Sequence, residues 1–155
     1  MKIEYQHTFG LPGKIVWKYI KDEKVLGNAI PSCRTIVKST TGLYRAEIDI
    51  NIGPLKDVFA LEVNLDKEQA SSYYHLLLQG KGNLGEISGD AHLFFNDQQG
   101  STQLTIQAEV KVTGTMSGAA ERVINGGANQ GIQRFFLSLE KEIKKNLYLL
   151  RKGRK

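Results

Sequence analysis

From Tyr44 to Ile52 apolar side chains take every second position: Tyr44, Ala46, Ile48, Ile50 and Ile52 alternate with Arg45, Glu47, Asp49 and Asn51. A period of two with a fully polar second set admits one structure, a strand with one buried and one wet face. The pattern recurs from Ile3 to Phe9 and in Phe59–Leu65, Tyr74–Leu78, Ile87–Phe95 and Leu104–Val112, with a further strand starting at Cys33. Turn signals at Thr41-Gly42, Gly53-Pro54, Gly80–Gly85 and Asp97–Gly100 separate the segments. Strand after strand without an intervening helix predicts an antiparallel meander from Cys33 to Thr113.

Two stretches break the alternation. After Pro12, Ile15, Val16, Tyr19 and Ile20 recur at helical spacing, and Asp22 is placed to cap a second short helix carrying Val25 and Leu26 that Pro31 ends. After Gly114, Met116, Ala120, Val123, Gly127, Gly131, Phe135, Leu139, Ile143 and Leu147 form one stripe of period 3.6. A helix over 115–147 would be roughly 50 Å long, against about 33 Å for a ten-residue strand, so its last turns should overhang the sheet. The predicted fold class is α+β: one strand, two short helices, six strands, and a long C-terminal helix around which the sheet curves to bury both. Residues 1–146 are expected to form a single ligand-binding domain and 147–155 a basic amphipathic tail.

Charge is divided along the chain. Of 21 Lys and Arg and 16 Asp and Glu, seven basic residues and one acid lie in 141–155, which leaves 14 basic and 15 acidic groups on the rest. The body is therefore nearly neutral at −1 and the last fifteen residues carry +6, so no nucleic-acid-binding face is expected on the body. One cysteine, Cys33, permits no internal disulfide and fits a reducing compartment. No stretch reads as a signal peptide and no apolar run approaches a membrane span, so a cytoplasmic protein with at most peripheral membrane contact is expected.

Few residues carry chemistry. Gly80-Lys81-Gly82-Asn83-Leu84-Gly85 matches the dinucleotide fingerprint by letter, but a strand follows it where that fingerprint requires a helix, so it reads as a glycine-rich hairpin. Asp90 and His92 share the polar face of one strand, two groups short of a metal shell, and no metal site is expected. His7 falls on the apolar face of the first strand, either as a core histidine or as a polar handle for a ligand. No nucleophile elbow or cysteine–base pair is evident, so neither catalytic residues nor a cofactor are predicted.

Two features of the long helix point elsewhere. Gly118, Ala119, Ala120, Gly126, Gly127, Ala128 and Gly131 thin its central part, although each glycine costs about 1 kcal/mol relative to alanine. Either the helix packs closely on the sheet there, or a cavity lies between them, closed at one end by Phe135 and Phe136. The second feature is the end of the helix. Lys144, Lys145, Leu147, Tyr148, Leu149, Leu150, Arg151, Lys152, Arg154 and Lys155 place apolar residues between basic clusters, a composition suited to an anionic membrane surface.

Val16-Trp17 with Val25-Leu26, Ile30-Pro31-Ser32-Cys33, Ile52-Gly53-Pro54-Leu55-Lys56, Gly80-Lys81-Gly82 with Gly85, and Gly131 leading to Phe135-Phe136 follow one another in that order over about residues 1–145. In this ordered set the chain resembles the CoxG family, which takes its name from carbon monoxide dehydrogenase. Ser32 replaces a glycine usual after Pro31, and Gln99-Gly100-Ser101-Thr102 replaces a Gly-Gly-Thr. The resemblance implies a START-like, helix-grip fold with seven antiparallel strands. It also implies an accessory role beside a molybdenum hydroxylase at the inner face of the cell membrane, and a cavity associated with quinones; it transfers no catalytic residues.

The resulting expectation is a non-enzymatic carrier of an apolar molecule, quinone or lipid-like. Strand parity and helix stripe assign its cavity to Tyr5, His7, Tyr44, Ile48, Phe59, Leu61, Leu93, Ile106, Met116, Ala120, Val123 and Gly127. The alternatives are an assembly or recruitment factor for the hydroxylase without a ligand, a generic lipid-binding protein, or an enzyme using His7.

Overall fold

Alternation becomes strand wherever the sequence has it. The computed structural model describes the backbone of residues 1–40, 42–52 and 55–153, with side chains except those of 52, 55, 116, 119–121, 123–131 and 153. Thr41, Gly53 and Pro54, expected in turns, and Arg154 and Lys155 lie outside the described residues. The strands are β1 (Lys2–Phe9), β2 (Cys33–Lys38), β3 (Leu43–Ile52), β4 (Leu55–Gln69), β5 (Tyr73–Gly82), β6 (Gly85–Asp97) and β7 (Thr102–Thr113). They form one sheet in the order β1-β7-β6-β5-β4-β3-β2, every neighbouring pair antiparallel. The two helices α1 (Gly13–Tyr19) and α2 (Glu23–Ala29) carry the chain from β1 at one edge to β2 at the other.

The helix boundaries have local causes. Asp22 caps α2, its Oδ1 accepting from the backbone N–H of Lys24 (2.9 Å) and Val25 (3.1 Å). Ile30 leaves the helix in an extended conformation, as a residue before proline prefers. The Gly80–Gly85 motif forms the β5–β6 hairpin, with Gly82 paired to Gly85 and no helix following. Gly85 adopts φ +147°, and a side chain there would collide with the Thr113 carbonyl.

The C-terminal helix, α3 (Met116–Gly153), has 38 residues, about 57 Å at 1.5 Å per residue. It continues six residues beyond the expected end, so the basic segment prolongs the helix. The core lies toward one end of the fold. Phe136, Leu139 and Ile143 of α3 are buried with Phe9 of β1, Leu104 of β7, Val16 of α1 and Val25 of α2 in one cluster. Thr102, fully buried at the start of β7, donates its hydroxyl to the Leu11 carbonyl (2.8 Å) and ties the β1–α1 connection to the sheet.

A polar clamp borders this core. Glu140 accepts from the Gly10 N–H (3.1 Å) through Oε1 and from Lys144 Nζ (3.1 Å) through Oε2, while His7 Nε2 lies 3.5 Å from Oε1. Burial pushes the Glu140 carboxyl up, but the Lys144 and Gly10 hydrogen bonds and the charges of Lys144 and His7 outweigh it and hold it below the usual carboxylate range. A carboxyl depressed on folding stabilises the native state above its unfolded pKa, and that contribution fades as pH falls through the folded value. Glu140→Gln is therefore expected to cost about 1 kcal/mol at neutral pH by denaturant unfolding. The gap to the unsubstituted protein should narrow as the pH is lowered into the carboxylate range. A gap independent of pH would disprove the assignment.

Candidate ligand cavity

Register places one continuous apolar face on the concave side of the sheet. Tyr44, Ala46 and Ile48 of β3 stand opposite Val63, Leu61 and Phe59 of β4, and Leu61, Val63 and Leu65 stand opposite Gly80, Leu78 and Leu76 of β5. Tyr74 then meets Leu93 of β6, which meets Ile106 of β7, which meets Tyr5 of β1. The face spans all seven strands, whereas the bulky described residues of α3 cover it mainly toward β1 and β7.

A cavity of about 220 Å³ remains beside the core. Its floor is the β3–β6 part of the concave face. Ile20 and Lys21 at the end of α1, Leu26 and Ile30 at α2, Ile36 of β2, and Phe135 and Phe136 of α3 supply its walls. A larger depression of about 520 Å³ lined by Glu62, Gln79, Lys81, Glu86 and Lys111 is polar and opens on the outer face, so it lacks the apolar enclosure of the first. Phe59 does not reach the cavity because its ring lies over Gly80 and Gly82, where any side chain would strike it.

Two tyrosines give this apolar space its polarity. The Tyr44 hydroxyl donates to the Lys21 carbonyl at 2.6 Å. The Tyr74 hydroxyl is buried and has no hydrogen-bond partner among the described residues. Burial, reinforced by the charges of Asp22, Glu23 and Glu68, pushes the Tyr44 phenol up to about 12. Burial, with Glu68 and Tyr44, raises the Tyr74 phenol as well, so both stay protonated donors. The indole of Trp17 stacks on the Tyr74 ring at 4.1 Å and 4°. Lys21 Nζ sits over both rings, 5.0 and 5.6 Å from their centroids, and pairs with Glu68 at 2.9 Å.

Of the residues assigned from sequence, Tyr44, Leu61 and Leu93 line the cavity. Tyr5 and Ile106 pack at the β1–β7 side of the core, Tyr5 stacked on Phe136 at 5.7 Å. His7, with 9% of its side chain exposed, lies between Phe9, Phe136 and Glu140, outside the cavity lining. Ile48 shares the concave face beside Phe59, beyond the lining. Met116, Ala120, Val123 and Gly127 lie on α3, outside the residues whose side chains are described. At the helix end Lys144 bonds to Glu140 and Leu147 packs on the core, while Tyr148, Leu149 and Leu150 are 62%, 54% and 51% exposed and Lys145, Arg151 and Lys152 are exposed beside them. Sequence reasoning missed Tyr74, Leu76 and Leu78, although their alternation marked the strand, because nothing local says which part of the face stays uncovered. Lys21, Leu26 and Ile30 were missed because they come from a connection whose path only the fold defines.

A family model for CoxG, a carbon monoxide dehydrogenase component, matches residues 10–144. The chain belongs to that family. No curated protein matches the sequence. Among solved structures it is similar to a conserved protein from Geobacillus kaustophilus, 23% identical, with 94% of this chain and 96% of that chain covered at a TM-score of 0.86. It is similar also to a START superfamily protein from Mycobacterium smegmatis (12% identity, 93% and 97% covered, TM-score 0.65). A third likeness is to the ZhuI aromatase/cyclase from Streptomyces sp. R1128 (14% identity, 95% and 95% covered, TM-score 0.65). These likenesses establish the START-like, helix-grip fold. The two departures from the CoxG pattern fall where the backbone turns left-handed: Ser32 has φ +59°, Gln99 φ +55° and Gly100 φ +99°. A residue other than glycine costs about 1 kcal/mol in such a conformation, which explains a glycine preference after Pro31.

The two tyrosines predict opposite stability effects. Tyr44→Phe removes a made hydrogen bond and is expected to destabilise the protein by about 1 kcal/mol. Tyr74→Phe removes an unpaired buried hydroxyl, so the ligand-free protein should be unchanged or gain about 1 kcal/mol. Thermal unfolding of both variants, stripped of ligand, checks this; equal losses would refute it.

Proposed function

We propose that the chain is a non-enzymatic carrier holding an apolar, carbonyl-bearing molecule of the isoprenoid quinone class between sheet and α3. In this reading it serves a molybdenum hydroxylase of the carbon monoxide dehydrogenase type and reaches the inner face of the cytoplasmic membrane through the basic end of α3. The observation that carries the ligand class is the Tyr74 hydroxyl, unpartnered among the described residues, in a cavity lined apart from Lys21 and Tyr44 by aliphatic and aromatic groups. Such a site lacks one thing, a hydrogen-bond acceptor, and a quinone carbonyl supplies an acceptor without bringing a donor that would itself go unpaired. The volume suits a small ring system, and an isoprenoid chain extends beyond it. The family's name supports the hydroxylase as partner.

The lining also favours carriage over catalysis. Its phenols are shifted toward the protonated form, Lys21 is paired with Glu68, and His7 stands outside the lining against Glu140. No described group in the cavity is poised to exchange a proton near neutrality. The test is organic extraction of the protein as purified from its host, followed by mass spectrometry, together with titration of the stripped protein with menadione read by quenching of Trp17, the sole tryptophan. A bound quinone and saturable quenching are expected, with Tyr74→Phe weakening menadione about 3- to 10-fold while keeping its stability. A stripped protein that shows no saturable quenching would overturn the ligand assignment.

The membrane role rests on the end of α3. Successive residues point about 100° apart, yet Tyr148, Leu149, Leu150, Arg151 and Lys152 are all exposed, so the helix end stands clear of the body on every side. No helix among the described residues is long and apolar enough to cross a membrane. An exposed apolar turn flanked by Lys144, Lys145, Arg151 and Lys152 instead suits the interface of an anionic bilayer. Sedimentation with phosphatidylglycerol-rich vesicles should show binding, with little to phosphatidylcholine alone. Replacing Arg151 and Lys152 by Gln should weaken it roughly 30-fold, at about 1 kcal/mol per charge. Unchanged sedimentation of that variant would remove the membrane role.

A further inference from the structure

The outer face of the sheet carries a cluster that the cavity does not use. His75 of β5 stands directly opposite His92 of β6, and Asp90 precedes His92 by two residues on the same face. One ligand atom from each of the three lies within 4.8 Å of the other two. The two imidazoles are nearly parallel, 4.5 Å between centroids, and His75 Nε2 is 3.7 Å from Asp90 Oδ2. Local sequence presents only Asp90 and His92; pairing of β5 with β6 adds the third group.

Each imidazole is held from behind. Asp66 Oδ2 lies 2.9 Å from His75 Nδ1, and the Tyr73 hydroxyl lies 2.6 Å from His92 Nδ1. With Nδ1–H directed at those oxygens, each ring keeps its Nε2 lone pair for another partner. His75 Nε2 is buried and has no hydrogen-bond partner among the described residues, an arrangement rare enough to require an explanation. Leu77, paired with Asp90, and Phe94, two residues beyond His92, flank the cluster, in which the His75 side chain is 16% exposed and that of Asp90 46%. Glu109 of β7, opposite Asp90, adds a further negative charge beside it.

We propose that His75, Asp90 and His92 bind one divalent transition-metal ion of the zinc class, through two imidazole nitrogens and one carboxylate oxygen, with water as fourth ligand. Two nitrogens and one oxygen suit a borderline ion and leave the open position common to three-ligand sites. Metal–ligand distances of about 2.0–2.1 Å place tetrahedral ligand atoms roughly 3.3 Å apart, so small side-chain rotations close the site. A carboxylate behind a ligating histidine, here Asp66, is the usual means of fixing its ring and raising its basicity. The ion binds β5 to β6 on the face opposite the cavity, so this site stands or falls separately from the carrier role.

The experiment is titration of the full, chelator-stripped chain with Zn²⁺ against a chromophoric chelator, and with Co²⁺ followed by visible absorption. The expected result is one Zn²⁺ per chain and intense Co²⁺ bands of tetrahedral type. His75→Ala and His92→Ala should each weaken Zn²⁺ at least 100-fold, and Asp66→Asn about 10- to 100-fold although it removes no ligand. Zn²⁺ should raise the melting temperature of the unsubstituted chain and not that of His92→Gln, which keeps a hydrogen-bonding group should the alanine variant fold poorly. Equal Zn²⁺ binding by the unsubstituted chain and the histidine variants, or no stoichiometric binding at all, would overturn the proposal.

Discussion

Phe136, Leu139 and Ile143 meet Phe9, Leu104, Val16 and Val25 in a single apolar knot, and the placement of every other feature follows from it. Each buried side chain of this size contributes about 1.5–3 kcal/mol, so seven of them outweigh any surface interaction in the fold. The knot joins the C-terminal half of α3 to both short helices and to the β1–β7 edge. It sets the line of the helix across the sheet, seats Phe136 on Tyr5, His7 and Phe9 of β1 with Phe135 beside it at the cavity wall, and leaves the last turns without support. The Glu140 clamp to Gly10 and Lys144 closes the same junction with charge-assisted hydrogen bonds.

The sheet divides the molecule's chemistry by face. Its concave side is apolar over seven strands, too wide for the described bulk of α3 to fill, and the unfilled part is the cavity. Polar atoms are few there, and the Tyr74 hydroxyl is one that has no partner among the described residues. The outer side is wet and charged, and cross-strand pairs decide what assembles on it. There the His75–His92 pair, with Asp66 and Tyr73 behind it, joins residues seventeen positions apart that only pairing makes neighbours. An apolar cavity and a histidine–carboxylate cluster share one thin sheet because alternation sends neighbouring residues to opposite faces.

Reading these residues in order succeeds where the chemistry is local. Tyr44 through Ile52 declare a strand and its buried face, Asp22 declares the start of α2, and the hairpin at Gly80–Gly85 is legible because another alternating segment follows it. The cavity was legible in part: Tyr44, Leu61 and Leu93 have the right parity and line it. Tyr5, His7, Phe59 and Ile106 have the same parity and pack elsewhere, since parity selects a face and not a place on it. Whether Phe59 fills space or borders it depends on Gly80 and Gly82, which reach it only through strand pairing. Lys21 and Ile30 enter the cavity from a connection with no periodic signal at all.

Sequence by itself determined the elements, their order, the inward face of each strand and the uneven charge that makes a nearly neutral body with a basic end. These properties come from neighbours a few residues apart, where sterics and burial act on short periods. Tertiary structure alone decided which stretch of the concave face the described residues of α3 cover, which tyrosine hydroxyl finds a partner among the described residues, how far the helix runs past the core, and that His75 meets His92. Each of these depends on distances between residues far apart in the chain. Such distances are set by how the helices and strands pack together, which no short sequence window contains.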